Sequence, residues 1–315
     1  MLKYLVIQLS EDAVSYCHFD NQNSDSTLIP VNELQNAILF GMKENLNIQF
    51  VYPKQSMPTE YNKVIESIDH IKIKPYNASE NTDADIIVFD DVDDFISGQW
   101  LTHQICIVRI TRAQISNIVD IYRSAKGKTP RVNIVIKDID KFTEGDFDLY
   151  KSVLSQLNVI VEEDTTTGTN IQINLLTDRL VMNGMNNCNA GDEVITIMPN
   201  GHFYPCAGFY YDNPSEHFGT LETGIEIKNR QLYKMSHAPI CRNCDAYQCR
   251  RCVWLNRKTT LEVNTPSHEQ CVIAHLERNA SRELILNIRK HGEFMPEIDI
   301  KEITYLDPFD IRNKW

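Results

Sequence analysis

The chain has 315 residues, of which 42% are hydrophobic, enough for two domains or for one large α/β domain with an appendage. Its 43 acidic side chains outnumber its 31 basic ones, which leaves a net charge of −12. Such a surface repels a phosphate backbone, so nucleic acid is a poor expectation as a partner. No apolar run reaches the length of a membrane span, and the apolar start meets Gln8, Ser10 and Glu11 too early for a secretion signal. We therefore expect a cytoplasmic protein without a membrane partner.

The first half of the chain alternates short apolar runs with amphipathic stretches. Helical spacing is typical of residues 31–46, 61–68, 112–125 and 146–157, and strand-like runs occupy residues 4–8, 48–52, 85–89, 105–110, 132–136 and 159–161. Alternation of this kind predicts parallel βαβ units, hence a sheet or barrel covered by helices. The acidic run from Asp90 to Asp94 is expected to be a solvated loop.

The most loop-like composition lies at residues 162–170, and a domain boundary is expected in or just after it. Residues 171–176 are expected as the last strand of a first domain at 1–178, with a second domain at 179–315. In the second domain, Asn200-Gly201 separates two short apolar runs and predicts a hairpin. A long helix capped by Ser267 is expected to end at Gly292, with Cys271 in its first turn.

Seven of the nine cysteines lie between residues 188 and 271, in the order C-x12-G-x4-C, C-x2-C-x4-C-x2-C and one further Cys. Two CxxC steps indicate metal binding, because two intervening residues let both sulfurs of a tight turn face one ion. Unrelated core cysteines would not be expected to follow this pattern, and a chain of this size needs no disulfide scaffold. The predicted metal ligands are Cys188, Cys206, Cys241, Cys244, Cys249, Cys252 and Cys271.

Residues from about 185 to 275 resemble the SPASM domain, the C-terminal extension of many radical SAM enzymes that modify peptides and proteins. The segment CNAGDEVITIMPNGHFYPC fits the first part of the family pattern, FGTLETG resembles its usual continuation, and CRNCDAYQCRRC followed by Cys271 completes seven cysteines. The run of four departs from the family by one residue in each of its last two gaps.

The resemblance implies one or two [4Fe-4S] clusters. In the usual partition one cluster takes Cys241, Cys244, Cys249 and Cys271, and the other takes Cys188, Cys206 and Cys252, with a fourth ligand missing or supplied from elsewhere. Two clusters with full thiolate ligation need eight cysteines, so seven imply an open iron, a water or a non-cysteine ligand. The alternative is a single zinc held by Cys241, Cys244, Cys249 and Cys252.

The residues after the first strand bear on the radical SAM half of the resemblance. Radical SAM enzymes carry C-x3-C-x2-C there, but this chain reads LSEDAVSYCHFD, with Ser10 and Val14 in two cysteine positions and only Cys17 kept. The glycine-rich SAM-contacting segment is not visible in FVYPKQSMP. We therefore expect an α/β fold made of a degenerate partial (β/α)6 TIM-like barrel, a small Cys-rich SPASM-like metal-binding domain and a C-terminal helix. S-adenosylmethionine is not expected as a cofactor, and no catalytic residue is predicted.

Both halves together resemble the CXXX repeat peptide maturases, which are associated with ribosomally made peptides carrying repeated cysteines. The resemblance implies maturation of such a peptide by a peptide-binding or peptide-modifying iron–sulfur protein without its own SAM-cleaving cluster. Its partners would be the precursor peptide and a modifying enzyme, and any activity of its own would be peptide modification or electron transfer. The alternative is a zinc-stabilised adaptor that binds the peptide or the enzyme without chemistry.

Basic residues are concentrated around the CxxC steps of this acidic chain. They either lie on a solvated face or compensate anionic metal–thiolate sites, or they dock an acidic peptide segment. The residues are Arg242, Arg250, Arg251, Arg257 and Lys258.

Overall fold

The computed structural model describes residues 1–77, 83–169, 171–182, 184–185 and 187–297. Nine strands form one sheet, and two more form a small antiparallel pair. The strands of the large sheet are β1 (Tyr4–Gln8), β2 (Asn47–Val51), β3 (Ile71–Pro75), β4 (Ile86–Phe89), β5 (Ile105–Ile110), β6 (Arg131–Ile136), β7 (Gln172–Ile173), β8 (Val194–Ile197) and β9 (Phe203–Tyr204), and those of the pair are β10 (Gly219–Thr220) and β11 (Gly224–Ile225).

The large sheet has the order β7-β6-β5-β4-β3-β2-β1-β8-β9. Strands β1 to β8 pair in parallel, and β9 returns antiparallel to β8. This is a mixed α/β architecture dominated by parallel pairing, as the alternation of apolar and amphipathic runs predicts. The hairpin predicted at Asn200-Gly201 is confirmed, since Ile197 faces Phe203 across it and Gly201 has φ +75°.

Helices connect and cover the strands. They are α1 (Val31–Lys43), α2 (Thr59–Ile65), α3 (Val92–Ser97), α4 (Ile118–Ala125), α5 (Glu144–Thr166), α6 (Asp178–Val181), α7 (Ala207–Asp212), α8 (Val253–Thr260) and α9 (His268–Ile288). Short 3-10 helices span Arg112–Asn117, Ile139–Lys141, Arg230–Tyr233, Met235–His237 and Cys241–Asn243. None of the helices in the described ranges combines the length and the apolar character needed to cross a bilayer.

The inner face of the sheet carries a layer with one β-branched side chain from each of β1 to β6. Two residues of the loop after β1, Ala13 and Val14, pack onto this layer. Because side chains alternate along a strand, the opposite face supplies the larger core that packs against the helices. The layer consists of Val6, Val51, Ile73, Val88, Ile107 and Val135.

Helix α5 corrects two of the sequence predictions. The strand expected at 159–161 is wrong, and so is the loop expected at 162–166, because the helix runs without a break to Thr166. Val159 is 66% exposed while Leu157 and Val161 are buried, so these β-branched residues follow helical spacing. The threonines that gave the segment its loop-like composition donate back to helix carbonyls, as Thr165 does to Val161 at 2.7 Å.

Several elements were not predicted, among them β3, α3, α7 and α8. In β3, lysines alternate with isoleucines, and Lys72 forms an ion pair with Asp83 at 3.2 Å. Helix α3 lies in the acidic run expected to be a loop, because the Asp91 side chain accepts hydrogen bonds from the backbone N–H groups of Asp93 and Asp94. Asp91 is thus an N-cap, and the acidic residues after it sit at the positive end of the helix dipole.

The sheet and the longest helices join the two predicted domains. Strand β8 pairs with β1, placing Ile195 beside Leu5 in the register. Helix α9, whose N-cap Ser267 accepts from the Gln270 N–H, packs against α5. There the Tyr150 hydroxyl donates to Glu277 at 2.6 Å. The division at residue 178 stays a prediction, and one continuous core lies on both sides of it.

Candidate metal centre

The cysteines are divided between two cavities. We call Cys17, Cys188, Cys206 and Cys252 the first cysteine group; they line a cavity of about 430 Å³. The second cysteine group, which lines a cavity of about 400 Å³, consists of Cys241, Cys244, Cys249 and Cys271. Every predicted metal-ligating cysteine therefore lies in one of the two groups. The ninth cysteine, Cys106, is buried in β5, where burial raises its pKa to about 12.

Two members of the first cysteine group lie at the N-termini of helices. Cys206 directly precedes α7, and Cys252 is the N-cap of α8, where its sulfur accepts from the Leu255 N–H at 3.4 Å. Cys188 lies in the connection before β8 and is exposed, and Cys17 follows β1 in the long loop that leads to α1. Four separate segments thus converge on one cavity.

The loop that carries Cys17 is fixed by hydrogen bonds to strands β5 and β6. Buried Arg109 of β5 donates from Nε to the Cys17 carbonyl at 3.0 Å and from Nη2 to the Phe19 carbonyl at 2.6 Å. It also forms ion pairs with Asp20 and Asp90. The Nδ1 of His18 donates to the carbonyl of Ile136 at 2.9 Å. Residues 17–20 are therefore held over the carboxyl ends of β5 and β6 rather than over β1 alone.

The same loop packs against the helices that carry Cys206 and Cys252. The Phe19 ring lies 5.8 Å from the ring of Tyr211 on α7 and 6.4 Å from that of Trp254 on α8, measured between centroids. Gly208 permits this contact, because a Cβ there would lie 2.8 Å from the Trp254 ring and 3.1 Å from Phe19. The segments bearing three of the four cysteines thus share one packed interface.

The second cysteine group is built from the CxxC run and the start of α9. Cys241 opens a 3-10 turn, and the sulfur of Cys244 accepts from the Ala246 N–H at 3.4 Å. The same sulfur lies 3.6 Å from Nε2 of His275 on α9. Cys271 is in the first turn of that helix, as predicted.

Burial makes most of these thiols weak acids. It raises the pKa of Cys249 well above its usual value, an effect enlarged by the neighbouring thiols of its group, and raises the pKa of Cys244 to about 11. A hydrogen bond between Cys17 and Cys252 lowers the pKa of Cys17 and raises that of Cys252. Several thiolates therefore coexist in either cavity only if positive charge is bound among them.

A buried cation supplies part of that charge. Arg251 is 2% exposed and lines the second cavity, and the cysteines that influence its pKa come from both groups. Its terminal nitrogens donate to the carbonyls of Tyr233 and Val263, each at 3.3 Å, and its Nε has no acceptor in the part of the chain that the structure describes. No carboxylate among the described residues pairs with it. Such a guanidinium fits beside an anionic thiolate-bound group.

The cysteines of each group are spread around a cavity. No three Cys, His, Asp or Glu side chains of the described ranges converge on a point where one metal ion would touch them all. Sulfurs around one zinc lie about 4 Å apart, given a Zn–S distance of about 2.3 Å. The four cysteines of the alternative zinc site are also separated, because Cys252 lies in the first cavity. Four thiolates around a cavity of several hundred Å³ match the donor set of a [4Fe-4S] cluster.

Comparisons with known proteins bear on the fold that carries these cavities. No family model matches the sequence, and no curated protein matches it either. The structure of anSMEcpe, an anaerobic sulfatase-maturating enzyme, with bound AdoMet superposes with a TM-score of 0.63 at 13% identity, covering 92% of this chain and 96% of that chain. For anSMEcpe with AdoMet and the Cp18Cys peptide, the TM-score is 0.61 at 14% identity, over 92% of this chain and 99% of that one. The chain therefore shares the fold of anSMEcpe.

A third match is Streptococcus suis SuiB bound to precursor peptide SuiA, with a TM-score of 0.46 at 14% identity over 84% of this chain and 75% of that chain. At these identities the anSMEcpe superpositions show the fold alone.

In the loop after β1, the structure buries two non-cysteine residues, Ser10 and Val14. Ser10 is fully buried, forms an antiparallel bridge with Leu28 and donates to Asp12. Val14 is 5% exposed and packs on the inner layer of the sheet. Both residues belong to the packed structure of the loop.

Sequence reasoning did not assign Cys17 to either group. It noted Cys17 only as the one cysteine kept from the C-x3-C-x2-C motif. The seven-cysteine pattern nevertheless lacked one ligand for two full clusters. The sequence signal that could have identified this ligand was the location of the two cysteines outside the seven-cysteine pattern, Cys17 and Cys106. Cys106 lies within a continuous apolar strand, which left Cys17, in a loop, as the cysteine free to approach the others.

Proposed function

We propose that the protein takes part in the cytoplasmic maturation of a ribosomally synthesised peptide with repeated cysteines. In this role it binds the precursor peptide and carries iron–sulfur clusters, but it does not cleave S-adenosylmethionine itself. The observation that carries the proposal is the grouping of eight cysteines around two cavities in a radical SAM/SPASM maturase-like fold.

The proposed clusters would be held by thiolates of the first and second cysteine groups, in a SPASM-like Cys-rich domain. Iron–sulfur clusters held in this way supply electron transfer or a rigid cross-link between chain segments. The chain's own residues would provide four segments around the first cluster and two around the second, helix N-termini at Cys206 and Cys252, and the buried cation Arg251 at the second cavity.

The absence of SAM cleavage is supported by the loop after β1. Neither Ser10 nor Val14 can bind iron as a thiolate does, and both side chains are engaged in the loop's own packing. Three cysteines are needed in that loop to hold the SAM-binding cluster, and one is present. Chemistry on the peptide would then come from a partner enzyme or from electron transfer through the clusters.

A peptide partner is supported by the solved structures with this fold, one of which is anSMEcpe bound to the Cp18Cys peptide. In this chain the first cavity continues from the cysteines along the inner face of β1, β2 and β8, where Tyr4, Gln49 and Thr196 line it. This concave, partly apolar surface is the one we assign to the peptide.

The test begins with anaerobic purification and reconstitution with iron and sulfide. Iron, acid-labile sulfide and zinc are then measured, and binding of a synthetic peptide of Cys-Ala-Gly-Ser repeats is followed by fluorescence anisotropy, with a serine-for-cysteine peptide as control. We expect about eight irons and about eight sulfides per chain and tighter binding of the cysteine peptide. Stoichiometric zinc without sulfide would instead support the zinc-stabilised adaptor.

A further inference from the structure

We propose that Cys17, from the loop after β1, is the fourth ligand of the cluster held by Cys188, Cys206 and Cys252. This assignment rests on the proposed iron–sulfur function and adds the ligand that the seven-cysteine pattern lacks. It gives each site four cysteines, so no iron is left open.

The first step is the position of the Cys17 side chain. It lines the same cavity as the other three members of the first cysteine group, and Phe19, two residues further on, packs against Trp254 of the helix that Cys252 caps. Four cysteines around one cavity are the donor set that a [4Fe-4S] cluster requires.

The second step is the backbone that holds Cys17 there. Arg109 is buried in β5 and donates to the carbonyls of Cys17 and Phe19, which fixes the peptide units on either side of His18. His18 in turn donates to Ile136 at the end of β6. These bonds leave the side chain of Cys17 on the side of the Cys-rich segment, so no large movement of the loop is needed for ligation.

The third step is charge. A cluster with four thiolate ligands is anionic, and the neighbourhood of Cys17 is cationic. Arg250 and Arg251 directly precede Cys252 in the chain; Arg250 donates to the Asn133 side chain at 2.8 Å, and Arg251 is 2% exposed. Two guanidinium groups next to a proposed ligand would stabilise four thiolates there.

The assignment has a consequence for the chemistry. With cysteine on every iron, neither cluster can bind a peptide thiolate or a water without first losing a ligand. Cys17 would instead link the sheet to the Cys-rich segment through the cluster, and the site would transfer electrons or stabilise the structure.

The experiment compares variants by iron and sulfide content and by the EPR spectrum of the dithionite-reduced protein. The variants are Cys17→Ala, Cys188→Ala, the two combined, and Cys17→Ala with Cys241→Ala. Cys106→Ala is the matched control, since Cys106 is a buried cysteine outside both groups. Circular dichroism verifies that each variant folds, and Cys188 is exposed, so its replacement leaves the core intact.

We expect Cys17→Ala to lose about half of the iron and sulfide, as Cys188→Ala does, and the combination to lose no more. Adding Cys241→Ala should remove nearly all of it, whereas Cys106→Ala should retain the full content. Full iron content and an unchanged EPR spectrum in Cys17→Ala would overturn the assignment of Cys17 while leaving the proposed function intact. Wild-type protein without sulfide would overturn both.

Discussion

At the scale of single residues, the structure contains ionisable groups whose burial gives them unusual properties. Glu277 on α9 is 8% exposed, accepts from the Tyr150 hydroxyl and lies beside the second cysteine group. Burial raises its pKa from 4.5 to about 7, although Tyr150, Gln248 and Arg250 act in the opposite direction. A carboxyl group so placed is protonated in the folded state at a pH where it is ionised in the unfolded chain.

This shift makes stability depend on pH through Glu277. Between pH 4.5 and 7 the folded state binds more protons than the unfolded state, so the free energy of unfolding falls as pH rises through this window. The Glu277→Gln variant lacks this dependence. Relative to the variant, the wild-type apoprotein should lose roughly 3 kcal/mol of unfolding free energy from pH 4 to pH 8.

Urea titrations of both proteins at several pH values measure this difference. Glu283→Gln, which replaces an exposed carboxylate on the same helix, is the control and should follow the wild type at every pH. If the difference in unfolding free energy between wild type and Glu277→Gln stayed constant across the pH range, it would contradict the prediction.

Arg251 gives a second prediction at this scale. In the apoprotein it is a buried guanidinium with no carboxylate partner in the described chain, so Arg251→Met should raise the free energy of unfolding by about 1–3 kcal/mol. In the cluster-loaded protein the same change removes a cation close to two anionic sites, so the reduction potentials should become more negative. Urea unfolding and potentiometry measure the two effects.

The control for this variant is Arg242→Met, which replaces an exposed arginine of the same basic run and should change stability by less than about 0.5 kcal/mol. An apoprotein that Arg251→Met destabilises would show that the two carbonyl contacts of the side chain outweigh its burial.

At the scale of elements, the loop after β1 and helices α7 and α8 behave as one unit. Phe19, Tyr211 and Trp254 pack together, and the Trp254 indole N–H donates to Asp212 at 2.6 Å. The Asn21 side chain donates to the Tyr211 hydroxyl at 2.9 Å. Because Cys17, Cys206 and Cys252 lie at the borders of this unit, its packing determines the separation of their sulfurs.

Gly208→Ala tests this unit. The added Cβ would lie 2.8 Å from the Trp254 ring and must displace it or α7, at a cost of about 1–3 kcal/mol in unfolding free energy. The tryptophan emission spectrum should shift at the same time. Gly145→Ala, near the start of α5, is the control, since its Cβ would meet only the Thr143 hydroxyl at 3.9 Å and alanine favours a helix by up to about 1 kcal/mol. Equal stabilities for the two variants would argue against a tight contact between α7 and α8.

At the scale of the whole molecule, the sheet joins the two ends of the chain and leaves a cavity on its inner face. The loop after β1, which in a radical SAM enzyme would carry three cysteines, here contributes Val14 to the inner layer and Cys17 to the first cavity. The chain thus shares the fold of anSMEcpe, whose structure has bound AdoMet, while its own loop after β1 holds one cysteine.

Restoring the triad tests this view of the molecule. The variant Ser10→Cys/Val14→Cys recreates C-x3-C-x2-C with Cys17, yet we expect no 5′-deoxyadenosine from S-adenosylmethionine and dithionite under anaerobic conditions. Ser10 and Val14 are buried in packed surroundings, and Cys17 lines the cavity that it shares with Cys188, Cys206 and Cys252. Chromatography of the reaction mixture, with added 5′-deoxyadenosine as a standard, gives the measurement. Product from the variant would contradict this expectation, and product from the wild type would show that the loss of two cysteines does not abolish SAM cleavage.

The local sequence pattern was sufficient to predict much of the secondary structure of this protein. Period-two and period-3.6 apolar spacing located most strands and helices, Asn200-Gly201 located the hairpin because both residues tolerate positive φ, and Ser267 located the start of α9. It failed at residues 159–166, where valines and threonines favour strand and loop in isolation but the core contacts of Leu157 and Val161 stabilise a helix.

The sequence by itself determined which residue types are available for metal binding, since the CxxC spacing brings sulfurs together within a few residues of chain. The tertiary structure alone decided that Cys17 lies with Cys188, Cys206 and Cys252 and that Arg251 is buried between the two groups. Those neighbours are more than 150 residues from Cys17 along the chain, and only the parallel pairing of β1 with β8, together with the hydrogen bonds of Arg109, brings them together. A contact of that range depends on the packing of the whole sheet, which no local pattern encodes.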